Sequence, residues 1–193
     1  LSTALISRFE RSAPGVDLLI RPQGAVTAED LEAGRAELII GVQVPQTAGI
    51  VQRKLFDEGF LSVVRRKHAR VKKRLTLQQF VELSHVQIAP RGLPGGPVDD
   101  ALAKLGLSRR IVLKVPSFLP ALRVVATTDL ILTAPEALVR DATKSLPLVA
   151  HPTPVAAQPF RLTLAWHERA QHEPAHAWLR AQVIELLTRR RRT

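Results

Sequence analysis

The chain has 193 residues, and 28 Lys and Arg against 17 Asp and Glu give it a formal net charge of +11. Apolar residues make up 46% and charged residues 23%, a globular rather than a disordered mixture. No run approaches the about 18 uncharged apolar residues of a membrane span, and the absence of cysteine excludes disulfides, thiolate metal sites and cysteine nucleophiles.

In chain order, residues 1–11 place Leu5, Ile6 and Phe9 at helical spacing, and Pro14-Gly15 stops that helix. Residues 16–20 (VDLLI) are a short apolar run that predicts a strand. Thr27 caps a short helix with Asp30 at its third position and Gly34 at its end. The continuous apolar run 36–42 (AELIIGV) predicts a strand buried on both faces, as parallel sheets have. Two strands follow at 50–56 and 60–65, around Asp57-Glu58-Gly59, and then a short helix over 76–83. The pattern starts afresh with a strand at 86–89, a turn at 90–97, a helix at 98–105 ended by Gly106, and a strand at 111–115. Pro116 leads into a helix reaching Ala126, 130–133 is a strand, and Pro135 opens another helix. After a Pro-rich stretch, 147–159, residues 160–166 alternate like a strand and 174–187 form an amphipathic helix. This βα alternation, restarted near Val86, predicts an α/β protein of two similar lobes with a ligand cleft at the carboxyl ends of the strands.

The positive charge is concentrated. Arg65, Arg66, Lys67, His68, Arg70, Lys72, Lys73 and Arg74 form one block, and residues 189–192, all Arg, form another. Six Phe, two Trp and no Tyr are few aromatics for base stacking, and neither zinc-finger spacing nor an aromatic RNA-binding signature is present. Both blocks therefore read first as solvated surface, a connector and a C-terminal end, and only second as a nucleic-acid groove.

His172-Glu173-Pro174-Ala175-His176 spells H-E-x-x-H, which in zinc hydrolases puts both imidazoles on one helix face. Pro174 argues against it: a residue without an N–H belongs in a helix's first turn, which leaves His172 outside the helix. Gly92, Gly95 and Gly96 precede a helix, but the turn lacks the Lys-Ser/Thr of a phosphate loop, and Asp99 and Asp100 already serve the helix's positive end. It is better read as a turn lining the cleft. Ser117 precedes a helix in which Pro120, three residues on, has no N–H to be capped; its hydroxyl is either a plain cap on the preceding donor or available to a ligand. Thr133 ends a strand at the expected cleft mouth, and Ser2 and Thr3 stand at the start of the first helix. None of these hydroxyls has the adjacent His and acid of a nucleophilic triad, so they suit ligand binding rather than catalysis, with neither metal nor cofactor expected.

Residues 9–18 (FERSAPGVDL) and 31–41 (LEAGRAELIIG) together resemble the opening of the effector-binding domain of LysR-type transcriptional regulators. The likeness continues through Arg53-Lys54-Leu55-Phe56, Arg66-Lys67-His68, Leu75-Thr76-Leu77, Ala103-Lys104-Leu105-Gly106-Leu107 and Val124-Val125-Ala126. Residues 41–45 and 115–118, Leu164-Ala165-Trp166-His167 and Trp178-Leu179-Arg180 look most like the branch that senses aromatic acids, nitroaromatics and flavonoid-like inducers.

The resemblance implies two Rossmann-like subdomains of the type 2 periplasmic-binding-protein kind, joined by two crossover segments. Residues 1–85 with 162–193 would form one and 86–161 the other, the family's first strand being expected before Leu1 and missing here. It also implies a cytoplasmic, non-enzymatic regulator that forms a homodimer or homotetramer, has no membrane contact, and holds DNA through an N-terminal winged helix-turn-helix domain outside this sequence. A small-molecule effector, expected to be aromatic, would lie near Ser2, Thr3, Gln43, Val44, Pro90, Arg91, Gly92, Leu93, Ser117, Phe118, Thr133 and Thr153. Salicylate-type sensors resemble this chain but carry a histidine where Ser117 stands and another close to Thr153 or its neighbour His151. Losing the first removes a donor for a carboxylate, which argues against a simple salicylate-like inducer. A solute-binding protein for transport would share the two-lobed plan, and a zinc hydrolase built on His172 and His176 is the third alternative.

Overall fold

The computed structural model describes residues 2–22, 26–42, 44, 46–89 and 95–189, without the side chains of Ser2, Thr3 and Arg189. The elements are α1 (Ser2–Ser12), α2 (Ala28–Glu32), β1 (Ile39–Gly41), β2 (Ile50–Glu58), β3 (Phe60–Arg65), α3 (Leu77–Glu82), β4 (Ser84–Ile88) and α4 (Pro97–Ala103). There follow β5 (Arg110–Val115), α5 (Phe118–Thr127), β6 (Ile131–Pro135), α6 (Glu136–Ser145), β7 (Leu148–Pro152), β8 (Phe160–His167), a 3-10 turn (Glu168–Ala170) and α7 (Pro174–Arg189). The chain forms two units, Leu1–Asp57 with Arg161–Thr193, and Glu58–Phe160, so it passes between them twice.

The first unit holds a three-stranded sheet in the order β1-β8-β2, with β1 antiparallel to β8. Leu5 and Phe9 of α1, Leu164 and Trp166 of β8 and Val183 of α7 close its core, and the rings of Phe9 and Trp178 lie 5.2 Å apart. Thr27 and Asp30 form the expected reciprocal cap: the Thr27 hydroxyl accepts from the Asp30 N–H, and the Asp30 carboxylate accepts from the Thr27 N–H. Two expectations change. Residues 16–20 form no strand; they join neither sheet among the described residues and leave Val16, Leu19 and Ile20 exposed. The run 36–42 supplies only the three residues of β1, antiparallel and with Ile39 and Ile40 only half-buried, because β1 is an edge of its sheet rather than a central parallel strand.

The second unit is built on a five-stranded mixed sheet in the order β5-β4-β6-β3-β7. Strand β4 runs parallel to β5 and β6, whereas β3 runs antiparallel to β6 and β7. Alternation sends Val63, Val86, Leu132 and Ala134 to one face, against Leu122 and Val125 of α5 and Val139 of α6. Val64 and Ile131 go to the other, against Phe80 of α3 and Val98 and Leu102 of α4.

The lobe boundary therefore differs from the sequence-based one. Residues 58–85 belong with the second unit rather than the first, because β3 is bonded between β6 and β7 and Phe80 is fully buried in that unit's core. Strands β2 and β3, almost adjacent in sequence, lie in different sheets. Strand β7 falls inside the Pro-rich stretch where no strand was expected; it is the sheet's edge, where Pro152 costs no ladder bond. Among the described residues no helix is long and apolar enough to cross a membrane.

Candidate functional site

A polar row crosses the second unit's sheet near the carboxyl ends of its parallel strands. In register, Ser62 of β3 faces Thr133 of β6 on one side and His151 of β7 on the other. Gln87 of β4 faces Lys114 of β5, and the β4–β6 register continued by one residue brings Gln87 level with Thr133. These side chains share the face that carries Val64, Ile131 and the buried His85.

The hydroxyls are linked. Ser62 Oγ lies 2.9 Å from Thr133 Oγ1 and 3.1 Å from Thr153 Oγ1, and the Thr153 hydroxyl donates to the Phe60 carbonyl at 3.3 Å. With one proton per hydroxyl, that last bond sets the direction of the chain: Thr133 donates to Ser62, Ser62 to Thr153, and Thr153 to the backbone. Thr133 is left with lone pairs only, half-buried at the open end. Beside it in the row, His151 is 5% exposed, and its Nε2 finds no hydrogen-bond partner among the described residues. Burial pushes the His151 pKa below the ordinary histidine value, which favours the neutral ring.

Ser117 is the N-cap of α5 and its hydroxyl makes no cap bond, neither to Pro120, which has no N–H, nor to the preceding donor. It is exposed and stands just beyond Val115, which pairs with Ile88, and so shares the carboxyl edge of β4 and β6. Phe118 packs half-buried against the core beneath α5. In the first unit, Val44 is half-buried, and its carbonyl accepts from Gln52 Nε2 at 3.3 Å. Ser2 and Thr3 begin α1, but their side chains lie outside the description, as do Gln43, Pro90, Arg91, Gly92 and Leu93 altogether. Of the nominated residues, the structure joins Thr133 and Thr153, through Ser62. Sequence reasoning missed Ser62; its signal was a lone serine within FLSVVR, a buried strand whose polar member must find partners.

Two tempting motifs are structurally committed. Helix α7 opens at Pro174, with His172 before it, and His176 is buried with Nε2 donating to the Glu37 carbonyl at 3.0 Å. Its Nδ1 accepts from Arg180 Nη1 at 2.6 Å, so neither ring nitrogen is left for a metal. Past the Gly-rich turn, Asp99 takes a two-pronged bond from Arg109, at 2.8 and 3.0 Å, and a third bond from Gln87. The negative charge at the start of α4 is thereby occupied. Elsewhere, a cavity of about 500 Å³ opens in the first unit between β2 and α7, with Val51, Trp166 and Ile184 as walls and Arg53 and Arg180 at its polar side; no nominated residue lines it.

The chain thus forms two α/β units and passes between them twice, and the second carries a polar row at the carboxyl ends of its parallel strands. The sequence profile of the LysR substrate binding domain matches residues 1–188. The chain is 32% identical over 181 residues to the HTH-type transcriptional regulator SyrM of Rhizobium meliloti (strain 1021), covering 93% of this chain and 55% of that protein. It is 30% identical over 185 residues to the HTH-type transcriptional activator NagR of a Ralstonia species, covering 95% and 62%. The crystal structure of the regulatory domain of MexT, a transcriptional activator in Pseudomonas aeruginosa, superposes with a TM-score of 0.84 at 25% identity, over 96% of this chain and 92% of that one. The chain belongs to the LysR substrate-binding domain family: it is the effector-binding domain of a LysR-type transcriptional regulator, with the type 2 periplasmic-binding-protein-like fold. It spans little more than half the length of the two curated relatives named.

Proposed function

We propose that this domain senses a small aromatic effector carrying a hydrogen-bond donor, held at the carboxyl edge of the second unit's sheet. The observation behind this reading is the hydroxyl chain that ends on Thr133 with only lone pairs to offer, in the same row as the buried, unpaired Nε2 of His151. An unmade buried hydrogen bond costs about 1–3 kcal/mol, which a ligand that supplies the missing partner recovers. Ser117, with its uncommitted hydroxyl, and Phe118 add a polar and an apolar contact, while Thr153 anchors the chain. The family resemblance adds Ser2, Thr3, Gln43 and Val44 from the first unit and Pro90, Arg91, Gly92 and Leu93 from the second. Effector binding favours one of two pre-existing arrangements of the units. In the full-length regulator, a cytoplasmic homodimer or homotetramer, that shift repositions an N-terminal winged helix-turn-helix on DNA.

Calorimetric titration with paired aromatic acids and flavonoids, hydroxylated and not, tests this, with small-angle scattering to follow the units. The hydroxylated member of a pair binds at least tenfold tighter, and Thr133→Val removes that difference while sparing the weaker binding. No binding across the panel, or an unchanged preference in the Val variant, refutes the assignment.

A further inference from the structure

Between Gly59 and Val98 the sequence contains one acidic residue, Glu82, against the whole first basic block. The segment that joins β3 to α3 is nevertheless not a loose solvated connector. His68 is 1% exposed at its centre. Its Nδ1 accepts the backbone N–H groups of Arg70 and Val71 at 3.1 and 3.0 Å, and its Nε2 donates to the Asp129 carbonyl at 3.0 Å. The Arg66 N–H donates to the Pro147 carbonyl at 2.7 Å, the Ala69 N–H to the Asp129 carboxylate at 3.1 Å, and Val71 and Leu75 are buried. The acids within reach are taken: Arg65 pairs with Asp129 and Arg70 with Glu82, and both carboxylates are held below their usual pKa range by those arginines. Lys72 donates to the His68 carbonyl at 3.2 Å, and Arg66, Lys67, Lys73 and Arg74 remain, all exposed and without side-chain partners among the described residues.

A fixed backbone that fans out four unpaired cations works against the fold by self-repulsion, but it spends little ordering entropy when an anion arrives. The large apolar side chains that are exposed lie elsewhere, none of them between 65 and 76. A protein interface would need an apolar or aromatic centre and stable membrane anchoring an apolar face or lipid chain beside the cations, whereas a phosphodiester backbone needs only spaced cations. We infer that this loop is a docking surface for the phosphate backbone of duplex nucleic acid, a sequence-independent contact made by the effector-binding domain itself. Because β3 runs antiparallel to β4 and β6, the loop sits at the amino ends of those strands, the sheet edge opposite Thr133. The surface thus goes beyond the effector reading and leaves the effector edge free.

The test is fluorescence anisotropy of the 193-residue chain with a labelled random-sequence duplex of about 20 base pairs, across 50 to 200 mM salt and with no effector added, so its failure leaves the effector titration standing. Four phosphate contacts contribute a slope of about −3.6 in log K against log salt, roughly a 150-fold loss over that range. The variant Arg66→Gln/Lys67→Gln/Lys73→Gln/Arg74→Gln should flatten the slope by about that much, and Lys67→Gln/Lys73→Gln by about half. Changing residues 189–192 to Gln removes the same four charges and should leave the loop's share intact. The inference falls if the chain does not bind, if the loop variants bind as the parent does, or if the C-terminal variant alone abolishes binding. It also falls if poly-glutamate of equal charge competes as well as the duplex, which would mark an acidic protein as the partner.

Discussion

Ser62→Ala is the sharpest probe of the hydroxyl chain. Ser62 is fully buried, accepts from Thr133 at 2.9 Å and donates to Thr153 at 3.1 Å. At about 1 kcal/mol net for each bond, the variant should lose about 2 kcal/mol of the second unit's stability. Thr133 and Thr153 are half-buried, so water reaches the orphaned hydroxyls and the larger cost of a sealed unpaired group is avoided. Thr133→Val removes one of the two bonds, about 1 kcal/mol. The double variant should therefore cost about 2 rather than about 3 kcal/mol, because the shared bond is lost only once, a coupling of about 1 kcal/mol. Both tryptophans, Trp166 and Trp178, lie in the first unit, so urea unfolding has to be followed by far-UV circular dichroism rather than fluorescence. Additive costs within about 0.3 kcal/mol, or a loss under about 0.5 kcal/mol for Ser62→Ala, would refute the linked chain.

His85 is fully buried, and its pKa is pushed down to about 4, chiefly by burial, against the ordinary 6.5. The unfolded chain takes up the proton first, so stability is complete above about pH 6.5 and falls as the pH drops toward about 4, by at most about 3 kcal/mol. Urea midpoints measured across that window should show the slope, His85→Gln should flatten it, and an equal slope in the variant would count against this cause. Arg180 donates to the carbonyls of Ala170 and Gln171 and to His176, and lies 4.7 Å over the Trp166 ring. Arg180→Lys should cost about 2 kcal/mol and alter tryptophan emission in fluorescence-monitored unfolding; an unchanged spectrum would refute the stacking. Excess zinc should leave the melting midpoint of the first unit unchanged, since both nitrogens of His176 are engaged; a rise would overturn that account.

Where local chemistry decides, the sequence was readable. The Thr27–Asp30 cap needs only neighbours three residues apart, and the missing N–H of Pro120 narrowed Ser117 to a cap on one donor or a free hydroxyl, of which the structure shows the latter. Where pairing partners decide, it was not. Nothing between Asp57 and Phe60 announces that β2 and β3 join different sheets, which is why the lobe boundary was placed near Val86. Pro147 and Pro152 hid β7, whose edge position tolerates them, and residues 16–20 show that an apolar run without a partner makes no strand. The candidate site was half legible: Thr133 was nominated from its place at a strand end and Thr153 from family likeness, but Ser62, which joins them, becomes meaningful only when β3 is seen between β6 and β7.

The order β1-β8-β2 also bears on biosynthesis. As the chain leaves the ribosome, β1 and β2 emerge early, yet the strand that bridges them begins only at Phe160. The second unit, contiguous in sequence, can complete all five of its strands first. Until translation delivers β8, the earlier half of the first unit waits with open edges, the interval in which a nascent chain most needs a chaperone.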